Sequence, residues 1–231
     1  ALGMKFRTQN GEDIGTGGGA LDQLAHIDLA KFDHRIAESE FIIACDVDNP
    51  LIGINGASHI FGPQKGATEA IVSILDQNLN TLADVIERLY GVSIHNLQGA
   101  GAAGGLGGAF QAFFPLTMKS GIDVVMEAIG FREQIKNADL VITGEGRSDD
   151  QTLSGKAPYG VAKVAREYGV PVMLLSGYLE TSSENRLSTY FDVLGSVVNE
   201  TVSKRESMTN AAHFIEIRMY QMMLGYNQIK K

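Results

Sequence analysis

Cysteine is almost missing from this chain. Cys45 is the single one, which excludes a disulfide within the chain and any zinc site built from cysteines, and fits a reducing cytosol. Proline is sparse, at five residues, and neither proline nor serine accompanies the clustered glycines, so those clusters do not read as flexible linkers. No apolar run approaches the roughly 20 residues that a membrane helix needs. The opening Ala-Leu-Gly-Met-Lys-Phe has no basic region and no apolar stretch of signal-peptide type, so no signal peptide is expected. The chain begins at Ala1 without an initiator methionine, in what reads as the middle of an element, so a fragment or processed piece is expected.

Charge of positive sign is also short. The 19 Lys and Arg against 27 Asp and Glu give a net charge of −8, and the cations are scattered rather than striped, which argues against nucleic acid as a partner. An acidic protein that handles an anionic substrate must concentrate its few cations locally, so single Lys and Arg residues in glycine-rich loops carry the interest. His26, His34, His59, His95 and His213 are dispersed without H-E-x-x-H or paired spacing, which argues against zinc. Ser176-Gly177 lacks the G-x-S-x-G elbow of an α/β-hydrolase. A Walker A loop would need glycine at position 150 and serine or threonine at position 157, which hold Asp150 and Ala157.

What is present is an alternation of strands and helices. Met4 to Arg7 reads as a short strand entering a turn, and Phe41 to Cys45 as a strand stopped by Asp46-Val47-Asp48-Asn49-Pro50. From Thr68, an N-cap, apolar residues at Ile71, Ile74, Leu75, Leu79, Leu82, Val85, Ile86 and Leu89 predict a helix closed by Gly91. Helical spacing returns at Ile122 to Ile129. A strand is predicted over Asp139 to Thr143, and after a charged loop a helix runs from near Pro158 to Gly169. Strands over Val170 to Gly177 and Phe191 to Val198 follow, with a short helical piece between them. A last helix over about Met208 to Tyr226 carries Ala212, Ile215, Met219, Met222 and Met223 on one side. This pattern indicates α/β architecture with a parallel sheet covered on both faces. Only three strands are legible in the C-terminal unit, fewer than such sheets usually hold.

Four places carry candidate chemistry. Thr143-Gly144-Glu145-Gly146-Arg147-Ser148-Asp149-Asp150 puts opposite charges and glycines at the carboxyl end of a buried strand, where ligands bind in open parallel sheets, and it suits an anionic substrate with a metal or proton acceptor. The alternative is a polar turn in which Asp149 or Asp150 caps a helix. Lys156, in Ser154-Gly155-Lys156-Ala157-Pro158, stands before a helix N-terminus, where phosphate is held by free N–H groups, or is simply a solvated lysine. The cluster from Gly99 to Gly108, with Gly101, Gly104 and Gly105, is either a backbone nest for an anion or a close helix contact through small residues. Asp46 and Asp48, two apart, can hold Mg²⁺ on one face or belong to an Asx-turn. Lys65 is a lone cation in a tight turn.

Taken together, six segments resemble the two-domain bacterial glycerate kinases (glycerate kinase type 1): Gly17-Gly18-Gly19-Ala20-Leu21, Ala44 to Leu51, Phe61-Gly62-Pro63-Gln64-Lys65-Gly66-Ala67, Gly99 to Gly107, Thr143-Gly144-Glu145-Gly146-Arg147 with Asp149, and Gly155-Lys156-Ala157-Pro158. They occur in the family's order and nearly span the chain. Two departures stand out: Ser148 occupies a position where the family usually has an apolar residue, and the N-terminal segments of family members are not found here. The chain therefore resembles about the C-terminal three-fifths of such an enzyme.

The resemblance implies two α/β domains, a flavodoxin-like (Rossmann-like) parallel-sheet domain with a second α/β domain inserted into it. Residues 1–128 would be the latter part of the inserted domain and 129–231 the C-terminal part of the flavodoxin-like one. It implies a cytoplasmic ATP-dependent phosphotransferase with an alcohol group as acceptor, using ATP and Mg²⁺ to convert D-glycerate to 2-phosphoglycerate (or 3-phosphoglycerate). Expected partners are D-glycerate and ATP, neither nucleic acid nor membrane, and a homodimer is open. Arg147, Asp149 and Glu145 are the expected catalytic residues. Asp46, Asp48 and Lys65 would bind substrate, Asp46 and Asp48 also Mg²⁺, and Gly101, Gly104, Gly105 and Lys156 phosphate. The alternatives are a non-catalytic binder of small sugar acids and an inactive fragment of the kinase.

Overall fold

The structure is a computed structural model and describes residues 2–229. The chain forms two compact units, residues 1–119 and 120–231. The division lies on the N-terminal side of the boundary read from sequence at residue 128, because the helix over Gly121–Ala128 packs with the elements that follow it, burying Met126 among them.

In the first unit, β1 (Lys5–Arg7) pairs antiparallel with β2 (His26–Asp28), and β3 (Phe41–Ala44) pairs parallel with β4 (Leu116–Lys119) in the register Phe41↔Leu116. The segment from Gly18 to Gln23, which shows only weak helical spacing, is a 3₁₀ helix. A short helix, α1 (Ala57–Phe61), leads through the 3₁₀ turn Pro63–Lys65 into α2 (Glu69–Tyr90). The long helix starts and stops where its sequence dictates. The Thr68 hydroxyl accepts the Ile71 N–H, and Gly91 takes the left-handed conformation, φ 70°, that ends it. Leu79, Leu82, Ala83, Val85 and Ile86 form its buried stripe with Leu24, Ile27, Leu51 and Ile94, and Val72 is buried one turn in from the N-terminus. Ile71 and Ile74, which the spacing assigns to that stripe, are instead exposed, since Val72 is the residue that packs back toward Gly62. After α3 (Leu106–Phe113) the strand β4 is one that the sequence pattern does not announce, its four residues being too few to show alternation.

The second unit is a three-stranded parallel sheet in the order β5-β6-β7: β5 (Val141–Ser148), β6 (Val172–Leu179) and β7 (Val193–Ser196). The α4 (Gly121–Ala128), α5 (Phe131–Ile135) and α6 (Ala157–Glu167) helices cover one face, closing a core of Val172, Leu174, Ala162, Ala165, Leu187 and Phe191 together with α7 (Glu184–Leu187). The single C-terminal helix expected from sequence is two, α8 (Lys204–Thr209) and α9 (Ala211–Ile229), broken at Asn210, whose φ −131°, ψ 44° is not helical. Ser203 and Glu206 cap α8 reciprocally. Buried Met222 on α9 presses against Gly195 of β7, where a methyl group would lie 2.2 Å from the Met222 sulfur. Among the described residues no helix is long and apolar enough to cross a membrane.

Candidate active site

The charged segment after Thr143 is not a loop. β5 continues to Ser148, pairing Arg147 with Tyr178 and Ser148 with Leu179. Glycines make this continuation sterically possible: a methyl group on Gly144 would sit 2.5 Å from the Leu175 carbonyl oxygen, and one on Gly177 2.6 Å from that of Gly146. The extended chain ends only at Asp149, which caps the 3₁₀ turn Asp150–Leu153 by accepting the Gln151 N–H at 3.0 Å. The capping role foreseen as an alternative for Asp149 is therefore real, and it leaves the Asp149 carboxylate at the strand end.

Glu145 is held from below by hydroxyls. Ser148 Oγ donates to Glu145 Oε1 at 2.8 Å and Thr152 Oγ1 donates to the same oxygen at 2.7 Å. Ser148 Oγ lies 2.5 Å from Ser176 Oγ. A serine hydroxyl has one proton, so with Ser148 donating to Glu145, Ser176 donates to Ser148. Ser148, Thr152 and Ser176 are fully buried. The other carboxylate oxygen, Oε2, is 3.8 Å from Lys156 Nζ.

The cations stand above this layer. Lys156 Nζ is 3.5 Å from Asp149 Oδ1, and Arg147 Nε is 3.5 Å from Asp149 Oδ2. Arg147 Nη2 donates to Glu180 Oε2 at 3.0 Å, and its guanidinium lies 5.7 Å from the Tyr178 ring centroid. The Glu145 side chain is 15% exposed, Lys156 38% and Arg147 62%, so negative charge is seated deep and positive charge faces solvent. Such an order lets an arriving anion exchange one carboxylate contact for its own. The start of α6 offers few free donors: Pro158 has no N–H, and the N–H groups of Tyr159 and Gly160 bond to the Lys156 carbonyl. Anion contact there falls to the Lys156 ammonium. A cavity of about 1000 Å³ opens beside these residues, bounded by Gly146, Arg147, Tyr178, Lys204, Met208 and Met219.

In the first unit, Asp46 and Asp48 are exposed in the segment that leaves β3. That segment is packed on the glycine cluster. The Gly101 N–H donates to the Asn49 carbonyl at 3.0 Å, and a methyl group on Gly101 would lie 2.3 Å from the Pro50 oxygen. Gly101 therefore serves close packing. Gly105, φ 104°, is buried against Leu51 and Leu79, whereas Gly104, φ 74°, is exposed with open space around it. Lys65 is exposed in its own 3₁₀ turn. The structure thus joins Glu145, Arg147, Asp149 and Lys156 in one cluster, and the Asp46–Pro50 segment to Gly99 and Gly101 in another. Thr152, Ser176, Tyr178 and Glu180 were not singled out from sequence. Only Thr152 left a trace, the acidic-to-threonine spacing Asp149-Asp150-Gln151-Thr152 of a capping box.

Comparison with known proteins bears on this geometry. A family model described as "Glycerate kinase family" matches residues 1–226. A glycerate kinase of Bacillus subtilis is 45% identical over 216 residues, which cover 94% of this chain and 56% of that protein. A glycerate 2-kinase of Escherichia coli is 46% identical over 201 residues, 85% of this chain and 53% of that one. A crystal structure described as that of a glycerate kinase 2 from Salmonella typhimurium LT2 superposes with a TM-score of 0.80 at 39% identity, covering 99% of this chain and 60% of its own. The chain spans a little over half the length of the curated relatives it matches.

Proposed function

Because the chain belongs to the glycerate kinase family, we propose that it serves transfer of the ATP γ-phosphoryl group to a hydroxyl of D-glycerate, giving 2-phosphoglycerate, with 3-phosphoglycerate as the alternative product. The observation that carries this reading is the cluster at the end of β5, where Arg147 and Lys156 meet Glu145, Asp149 and Glu180 at 3.0–3.8 Å. Phosphoryl transfer asks for positioned charge more than for covalent chemistry, and this cluster supplies it.

In this reading the planar fork of Arg147 holds the glycerate carboxylate or the transferring phosphoryl oxygens. Lys156 holds a phosphate oxygen, and Glu145 orients Lys156. Asp149 accepts the proton of the attacking hydroxyl as its oxygen bonds phosphorus and ADP departs. Asp46, Asp48 and Lys65 bind substrate, and Gly104 and Gly105 contribute backbone to phosphate binding beside the packing role of Gly101. The donor set fits Mg²⁺: Asp46 and Asp48 are exposed hard-oxygen ligands, and Mg²⁺ usually takes one or two carboxylates with substrate phosphates. Bound there, it would neutralise phosphate charge. The reading carries with it a second α/β domain inserted in the flavodoxin-like one, and a cytoplasmic location.

The test is release of ADP on adding D-glycerate, for the chain alone and joined to the N-terminal portion that the resemblance implies, with ³¹P NMR of the product. Glycerate-dependent ADP release with a 2-phospho signal is expected. Glycerate binding with no turnover in either form would leave a sugar-acid binder instead.

A further inference from the structure

Thr152 touches the Glu145 carboxylate and the Asp149 main chain without reaching solvent. Its Oγ1 accepts the Asp149 backbone N–H at 3.1 Å and donates to Glu145 Oε1 at 2.7 Å. It is fully buried. One hydroxyl therefore links the main chain of Asp149 to the side chain of Glu145, the two acids that flank Lys156 at 3.5 and 3.8 Å. Ser148, itself anchored by Ser176, supplies the second donor to the same Glu145 oxygen. With Oε1 saturated by two hydroxyl donors, Oε2 is the oxygen left to face the Lys156 ammonium.

We infer that Thr152 is a positioning residue of the phosphoryl-transfer site: its hydroxyl fixes the spacing of Glu145 and Asp149, and through them aims the Lys156 ammonium at an incoming phosphate. This rests on the reading of the site given above. Packing alone does not account for the arrangement. A valine would fill the same volume in this buried position, but it would leave a carboxylate oxygen short of one donor and the Asp149 N–H without an acceptor.

Two substitutions at the position separate the hydroxyl from the volume. Thr152→Val keeps the volume and removes the hydroxyl, whereas Thr152→Ser keeps the hydroxyl and removes a buried methyl group. Kinetics are measured on the chain joined to the N-terminal portion. A hydrogen bond to a charged group predicts that Thr152→Val lowers kcat by about tenfold or more, while the KM for glycerate changes by less than about threefold. Thr152→Ser is expected to restore kcat to within about threefold of wild type, although it lowers the melting temperature by opening a cavity. The reverse order, with serine more damaging to kcat than valine, would overturn the inference and leave Thr152 as a packing residue.

A second readout does not depend on turnover. In labelled protein, the Asp149 amide is protected from exchange in wild type and Thr152→Ser and opened in Thr152→Val, and the Lys156 side-chain signals move in Thr152→Val alone. Unchanged Asp149 protection and unchanged Lys156 signals in Thr152→Val overturn the inference whatever the activity. Absence of glycerate-dependent turnover in the wild type would instead sink the phosphoryl-transfer reading, and these signals would still decide the link. If Thr152→Val gives no cooperative melting transition, Ser148→Ala takes its place, with the same split between kcat and KM expected at smaller size. No change in kcat there would count against the hydroxyl network.

Discussion

Alanine at Gly107 would put a methyl carbon 2.1 Å from the Gly99 carbonyl oxygen and 3.2 Å from the Ala102 side chain. Carbon and carbonyl oxygen approach no closer than about 3.3 Å in ordinary contacts, so α3 or the Gly99 turn has to give by more than an ångström. The closest clash is with backbone in a packed region, and overpacking of this kind costs about 1–3 kcal/mol, here toward the upper end. The gain in helix propensity from alanine, about 1 kcal/mol at most, offsets part of it. The net expectation is a loss of roughly 2 kcal/mol, near 10 °C of melting temperature for a unit of this size. Gly104 is the control. It is exposed with nothing near its added methyl group, and only its φ of 74° resists alanine, at about 1 kcal/mol. Scanning calorimetry of both variants reads the difference. Gly107→Ala melting within a degree or two of wild type, or Gly104→Ala melting as low as Gly107→Ala, would refute the reading that glycine is needed at 107 for close packing on the Gly99 turn.

Two further expectations concern the first unit. Asn78, 3% exposed on α2, donates to the carbonyls of Gly18 and Gly19 at 2.9 and 3.1 Å, so Asn78→Ala should destabilise by about 2 kcal/mol, read from urea unfolding, and loosen amide protection around residues 17–20. Burial, and then the nearby Asp28, push the Tyr90 phenol above its ordinary 10.0, and its hydroxyl donates to the Ile27 carbonyl at 2.6 Å. The folded chain keeps this proton to higher pH than the unfolded chain does. The associated stability is therefore complete below about pH 10 and lost as pH rises through the folded value. Tyr90→Phe should be less stable than wild type at neutral pH yet lose less stability on going above pH 10, and urea midpoints on both sides of that pH check it.

How much of this is legible in the residues differs from element to element. The ends of α2 are, because Thr68 and Gly91 act through local hydrogen bonding and local backbone conformation. The parallel sheet of the second unit is, because runs such as Val172 to Leu175 are apolar on both faces. The break at Asn210 and the strand β4 are not: asparagine does not by itself announce a helix break, and β4 forms only by pairing with β3. In the site, Arg147, Asp149, Glu145 and Lys156 are conspicuous as charges beside glycines. The extension of β5 through them is hidden, because it follows from pairing with Tyr178 and Leu179. Thr152, Ser148 and Ser176 are ordinary polar residues by composition. Only the folded chain brings Thr152 and Ser148 to one carboxylate, with Ser176 behind Ser148.

The measurement that bears most directly on the account is kcat/KM for glycerate-dependent ADP release by Arg147→Ala, made in the chain joined to the N-terminal portion. Removing a positioned guanidinium from developing phosphoryl charge predicts a fall of about a hundredfold or more, with the melting temperature little changed because the side chain is mostly exposed. A value within a few-fold of wild type would contradict the assignment of the β5 strand end as the site of phosphoryl transfer.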